Sequence, residues 1–246
     1  MKMKTIRVRI DPGEPGSVLK EIPLRKPLRL MLGSGVLAVA LLGAAVPAQA
    51  HPARSTTAPV VLSAGHVDAV DVAYEDGALE LGVHDETVEP DVEREPGDVV
   101  FLVKKAAKTT VPADPAYGFL GAPGKPVWML PEVQNESLLW AGLAAEEVEP
   151  GVFAGDTVTL EVESVTGSGR FAIFTENAVG TPQVLVNSAD GLPDAITLDA
   201  GTHRHVSWAF QKAGVYCVTI RATARLADSG ATVTSEPATY TFVVQP

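Results

Sequence analysis

The run Gly201-Thr202-His203-Arg204-His205-Val206-Ser207-Trp208-Ala209-Phe210 sets two histidines two residues apart in a segment patterned as a strand. Side chains at that spacing leave a strand on the same face, so both imidazoles can reach one point. Neutral imidazole is the commonest protein ligand for zinc and its neighbours. The segment Gly65-His66-Val67-Asp68 repeats the spacing with one imidazole and one carboxylate. His66, Asp68, His203 and His205 together offer three nitrogen donors and one oxygen donor. That set suits Zn2+ in tetrahedral coordination, with bonds of ~2.0–2.1 Å to nitrogen. Copper and nickel also accept imidazole, so the donor types do not name the metal. For the set to assemble, the strands near 66 and 203 must be neighbours or must meet at one rim of the fold. His84, at the end of a strand beside Asp85 and Glu86, is a reserve ligand, and Asp190 another. Each group also has a plain structural use: His66 as a strand-leading polar residue, Asp68 as a turn cap, Asp190 as Asp-Gly turn chemistry, and the 203/205 pair as locally hydrogen-bonded histidines.

Other chemistry is harder to find. The chain has no Gly-x-Ser-x-Gly elbow, no His-Glu-x-x-His and no phosphate-cradling glycine loop. Its many Asp and Glu leave an acid pair for glycoside hydrolysis open, but nothing singles one out. The expectation is a protein that is not an enzyme. Cys217, between Tyr216 and Val218, has no flanking His or acid to lower its pKa and reads as an inert thiol. Trp128, Trp140 and Trp208 are expected to pack in the interior rather than line a groove.

The elements that must position these groups read as an all-β fold, an antiparallel Ig-like β-sandwich. Residues 66–74 alternate as a strand, Asp76-Gly77 is a two-residue hairpin signal, and 78–84 is the partner strand. Further strands are expected at 99–103, 156–165, 170–175, 183–187 and 196–198, with a hairpin turn at Gly167-Ser168-Gly169. Residues 203–210 read as one strand. Residues 215–226 and 231–244 read as a long hairpin around Asp228-Ser229-Gly230. Residues 86–98 are acidic, contain two prolines and read as loop. Residues 110–151, rich in Pro and Gly, read as a long connection with one short helix at 143–148.

The first 50 residues read as a signal peptide. Residues 1–29 carry eight Lys and Arg against three acids, an apolar run spans 30–46, and Ala48-Gln49-Ala50 is a small-x-small cleavage signature before His51. An uncleaved anchor is the rival reading. Residues 51–60 then form a flexible leader and 61–246 the folded domain, with no membrane span after cleavage and no anchor recognisable in 240–246. The chain holds 19 Lys and Arg and 30 Asp and Glu. Removing the eight and three of the leader segment leaves 11 and 27, a net charge of −16. Such a charge argues against nucleic acid and anionic membranes as partners, and it favours cations. One cysteine excludes an intramolecular disulfide within this sequence, so the fold rests on core burial.

Residues 200–220 resemble a repeat of actinobacterial surface-anchored proteins: a Gly-Thr-His-x-His turn and strand, then Trp-Ala-Phe, a turn, and Gly-x-Tyr. The likeness extends to Gly65-His66-Val67-Asp68, Phe119-Leu120-Gly121-Ala122-Pro123-Gly124, Val127-Trp128 and Ser188-Ala189-Asp190-Gly191-Leu192-Pro193. Together these resemble the larger choice-of-anchor M domain. Ser207 stands where the pattern has Asn, and Gly167-Ser168-Gly169 where it has Gly-Pro-Gly. The resemblance implies a secreted or cell-envelope protein associated with ABC transport systems of the zinc and manganese type, with cell-surface components of such a system as partners. A structural or adhesive surface module without any site is the alternative.

Overall fold

Alternating apolar and polar residues build most of this chain into strands. The computed structural model describes residues 58–246. The signal segment expected at 1–50, with His51 and most of the leader, lies outside the described residues. Among those described, seventeen strands follow in chain order. They are β1 (Val60–Leu62), β2 (Gly65–Glu75), β3 (Ala78–Asp85), β4 (Val92–Arg94), β5 (Val99–Val103), β6 (Lys108–Thr110), β7 (Pro126–Leu130) and β8 (Leu139–Ala144). Then come β9 (Thr157–Gly167), β10 (Phe171–Glu176), β11 (Pro182–Asn187), β12 (Asp194–Asp199), β13 (His203–His205), β14 (Ser207–Phe210), β15 (Gly214–Arg225), β16 (Thr232–Thr234) and β17 (Ala238–Val244). Helical structure among the described residues is confined to four short 3-10 segments. None of their helices is long and apolar enough to cross a membrane.

The strands form three sheets: β1-β5-β17-β15-β9-β12 with β16 on β15, β11-β10-β14-β7-β6, and β13-β8-β2-β3-β4. This is the expected all-β sandwich. Most pairs are antiparallel, but β1–β5, β5–β17 and β2–β8 are parallel. The β2–β3 hairpin turns at Asp76 (φ 48°) and Gly77 (φ 86°), the double positive φ of a type I′ turn, which explains Asp-Gly at those two positions.

Four expectations change. The chain does not form a hairpin at 167–169. β9 ends paired to β15 alone, and beyond the turn β10 crosses to the second sheet, where it pairs with β14 and β11. Residues 203–210 are two strands broken at Val206: β13 pairs with β8 and β14 with β7 and β10, so this short run belongs to two sheets. The loop read at 86–98 contains β4, paired to β3. The long connection at 110–151 contains β7 and β8, and no helix forms at 143–148. Leu143 and Ala144 end β8, and Val148 N–H donates to Ala145 C=O in a turn.

One continuous core draws on all three sheets, with Phe101, Phe171, Trp208, Phe210, Tyr216, Tyr240 and Phe242 fully buried. Trp208 Nε1 donates to the Ala141 carbonyl at 3.1 Å, which pins β14 to the back of β8. The third sheet thus has one face in the core. Its other face carries the polar residues described next.

Candidate metal centre

Register alone lines up the ligand-type residues. In the third sheet His205 of β13 lies opposite Gly142 of β8, Gly142 opposite Asp68 of β2, Asp68 opposite His84 of β3, and His84 opposite Glu93 of β4. Directly opposed residues share a face, so this is one row across five strands. His66, opposite Trp140, and His203, opposite Ala144, flank the row on the same face. β2 and β13 are therefore not neighbours; β8 separates them. Gly142 makes their convergence possible. A Cβ there would overlap Asp68 Oδ1 and come within 3.4 Å of His205 Cε1, so the missing side chain is the space through which the carboxylate and the imidazole approach.

A β-bulge sets the remaining geometry. Between Asp68 and Asp71, β2 advances three residues while β3 advances two, from His84 to Gly82. The extra residue keeps both Asp68 and Asp71 on the polar face, where a regular strand would turn one of them into the core. The β13 approach is fixed by the Gly201 N–H to Ala145 C=O bond at 2.8 Å and the Ala145 N–H to Thr202 C=O bond at 2.9 Å.

The ligating nitrogens of His66, His203 and His205 lie within 4.8 Å of one another. His66 Nε2 and His205 Nε2 are 3.1 Å apart. Two bonds of ~2.0–2.1 Å at the tetrahedral angle would separate them by ~3.3 Å. Asp68 Oδ1 is 3.9 Å from His66 Nε2. The outer nitrogens are held from behind: His66 Nδ1 by Glu86 at 2.9 Å and His203 Nδ1 by Glu146 at 2.8 Å. A carboxylate accepting from Nδ1–H fixes the tautomer that leaves the Nε2 lone pair free, the arrangement common behind metal-bound histidines. Glu86 is presented by a turn in which buried Asp85 accepts from Thr87 N–H at 3.0 Å and pairs with Arg94 at 2.8 Å. Trp140 stacks on His205 at 3.6 Å between centroids and 8° between planes, and its Nε1 is anchored to the Glu132 carbonyl at 2.8 Å.

Asp68 is fully buried, and neither of its oxygens has a hydrogen-bond partner. Burial pushes its carboxyl up, and His66 and His203 draw it partly back. Burial, then the neighbouring His66 and His203, press His205 down to about 4, so it stays neutral at physiological pH. His203 moves the other way, raised chiefly by its bond to Glu146.

No protein-family model matches this chain, and no curated protein matches it.

Of the four residues singled out from sequence, His66, His203 and His205 bring their nitrogens within 4.8 Å of one another, while Asp68 groups with His66 and Glu86 instead. The reserve pair does not join them. His84 stands across Asp68 at 3.9 Å from its other oxygen, but its Nε2 is engaged by Asp91 at 2.9 Å. Asp190 accepts from Asn187 at 2.7 Å in its turn. Sequence reasoning missed Gly142, Trp140, Glu86 and Glu146. Trp128 and Trp208 are buried as expected, whereas Trp140 is half-buried against the site. Cys217 is a free, partly buried cysteine.

Proposed function

We propose that this protein binds a divalent cation of the zinc type through His66, His203, His205 and Asp68. The observation that carries the reading is Asp68: a fully buried carboxylate with no partner for either oxygen, 3.9 Å from His66, whose ring belongs to the three-imidazole cluster. Leaving such a group bare costs several kcal/mol. A cation would offset that cost. Carboxylates behind two of the imidazoles and neutral His205 support the same reading.

The wider role rests on the resemblance to the choice-of-anchor M domain. On that basis the protein is exported to the cell envelope and serves as an accessory to a metal-type ABC transport system. The acidic balance, which raises local cation concentration at long range, is compatible with such a role.

The test is isothermal titration of ZnCl2 into chelator-stripped protein, with metal content measured after dialysis. The wild type should retain about one equivalent that depends on the histidines. The His203→Ala, His205→Ala double variant should bind at least ~100-fold more weakly. Equal, weak binding by both would overturn the reading and leave the structural surface module standing.

A further inference from the structure

Asp68 belongs to a second set of ligand-type groups. One of its oxygens, one nitrogen of His66 and one oxygen of Glu86 all lie within 4.8 Å of one another. This set and the three-imidazole set meet at His66 and at no other residue. Its two carboxylates differ in kind. The Glu86 side chain is 37% exposed and rests on His66 Nδ1 at 2.9 Å, and an acid so placed is stable in water without a ligand. Asp68 is fully buried, and among the described residues it is the only carboxylate with both oxygens buried and bare. Its Oδ1 stands 3.9 Å from His66 Nε2, too far for a hydrogen bond. Two metal bonds of ~2.1 Å span up to ~4.2 Å, so one cation fits between them. Glu86 is brought to this place by the turn after β3. Gly65, at φ 92°, lets that turn close on β2: a Cβ there would press on Thr87 Cγ2 at 3.2 Å.

We propose that His66, Asp68 and Glu86 form a second position for the same divalent cation, which moves between it and the imidazoles with His66 as the shared ligand. With the ion among the imidazoles, Glu86 is the acceptor behind His66 Nδ1. In the second position its carboxylate leaves that nitrogen and joins the ion. Zinc takes imidazole nitrogen and carboxylate oxygen alike, so both sets suit it. Three neutral imidazoles bring an ion no charge, whereas the second set brings two negative charges. Exposed Glu86 is also where water and an outside ligand reach the ion, so this position suits a cation that is arriving or leaving. Because His66 is common to both sets, the protein holds one ion at a time. The first position rests on the zinc-type reading of the histidines; the second needs neither His203 nor His205.

The probe is ZnCl2, titrated into the chelator-stripped His203→Ala, His205→Ala double variant, which keeps His66, Asp68 and Glu86. One saturable equivalent is expected, weaker than in the wild type but complete by ~1 mM, the weak end for carboxylate-rich sites. Adding Glu86→Gln should weaken it at least ~10-fold. Adding Glu149→Gln, which removes an equal charge at an exposed position outside both sets, should not. Anomalous diffraction from zinc-soaked crystals of the double variant should place the ion in contact with His66, Asp68 and a Glu86 oxygen. A Glu86 that only props His66 would instead stay on Nδ1, away from the ion. The His203→Asn, His205→Asn chain, closer in shape, gives the same readings should the alanine chain not fold. No saturable uptake by ~1 mM would overturn the proposal. So would binding that Glu86→Gln leaves unchanged, binding that Glu149→Gln weakens as much, or an ion located away from Glu86. Any of these leaves zinc binding at the imidazoles untouched. Failure of the imidazole reading shows differently, as a double variant that binds zinc as well as the wild type.

Discussion

Gly142 and the histidines carry opposite kinds of information at the scale of single residues. Each histidine contributes a donor, while Gly142 contributes empty space between Asp68 and His205. Gly142→Ala should therefore push Asp68 and His205 apart. Zinc affinity should fall at least ~10-fold and stability by about 1–3 kcal/mol through overpacking. Gly97→Ala, where a Cβ meets nothing within 4 Å, is the control that should change neither. Titration calorimetry and thermal melts of the two variants would check this. The protonation states make a second prediction. Glu146 raises the pKa of His203, whereas burial holds His205 near 4. Metal must displace the proton of His203 first as pH is lowered. The loss of zinc affinity should accordingly begin above ~6.5, the ordinary imidazole value, with His205 adding to it only near pH 4. His203→Ala should move the onset down, and affinity measured from pH 8 to 5 would show whether it does.

The bulge in β2 matters most at the scale of elements. It places Asp68 and Asp71 on one face, and it shifts the register against both β3 and β8. Deleting Ala69 removes the extra residue, so pairing should become regular while Asp68 and Asp71, now two positions apart, keep their partners and stay on one face. The buried Ala69 methyl and the local bend are lost, so urea denaturation should show a protein that still folds, destabilised by about 0.5–3 kcal/mol. The hairpin of β2 and β3 was legible in the sequence because Asp76-Gly77 is local turn chemistry and its strands alternate. The ligand pairs at 66/68 and 203/205 were legible because strand period alone puts each pair on one face. β8 was not legible: Leu139, Ala141, Gly142, Leu143 and Ala144 are all buried, so no alternation marks the strand. The Leu-Ala-Ala-Glu-Glu run beyond it favours helix, and pairing of β8 with β2 and β13 overrides that preference. The break of 203–210 into β13 and β14 was hidden for a similar reason. A continuous apolar pattern does not reveal that its two halves join different sheets. Glu86 and Glu146 could not be found at all, since each acts through a turn whose position only the assembled fold defines.

Two groups, half-buried His205 and buried Asp71, pull the stability of the whole apo protein in opposite directions. His205 has a folded pKa near 4 against an ordinary 6.5, so the unfolded chain takes its proton first. Its contribution is intact above 6.5 and is lost as pH falls toward 4. Asp71 is pushed up to about 7 from 3.8, by burial first and then by Glu93, Glu147 and Asp68, with His84 opposing. The folded state keeps that proton longer, so stability is full below 3.8 and is lost as pH rises to about 7. Asp71→Asn should remove the second limb, stabilising the apo protein at pH 8 on the order of 2–4 kcal/mol and having little effect near pH 4. Denaturation curves at the two pH values would check the sign. The separation of His66 from His205 in the chain has a consequence of another kind. An ion held between them would tie together points 139 residues apart. In the chain-entropy picture of a covalent cross-link, closing a loop of that length removes about 5 kcal/mol of freedom from the unfolded ensemble. With a single cysteine, this sequence has no internal disulfide to do the same. A bound ion would act as a reversible staple, indifferent to reductants and opened by chelators, so that the lifetime of the folded chain follows the supply of the cation it carries.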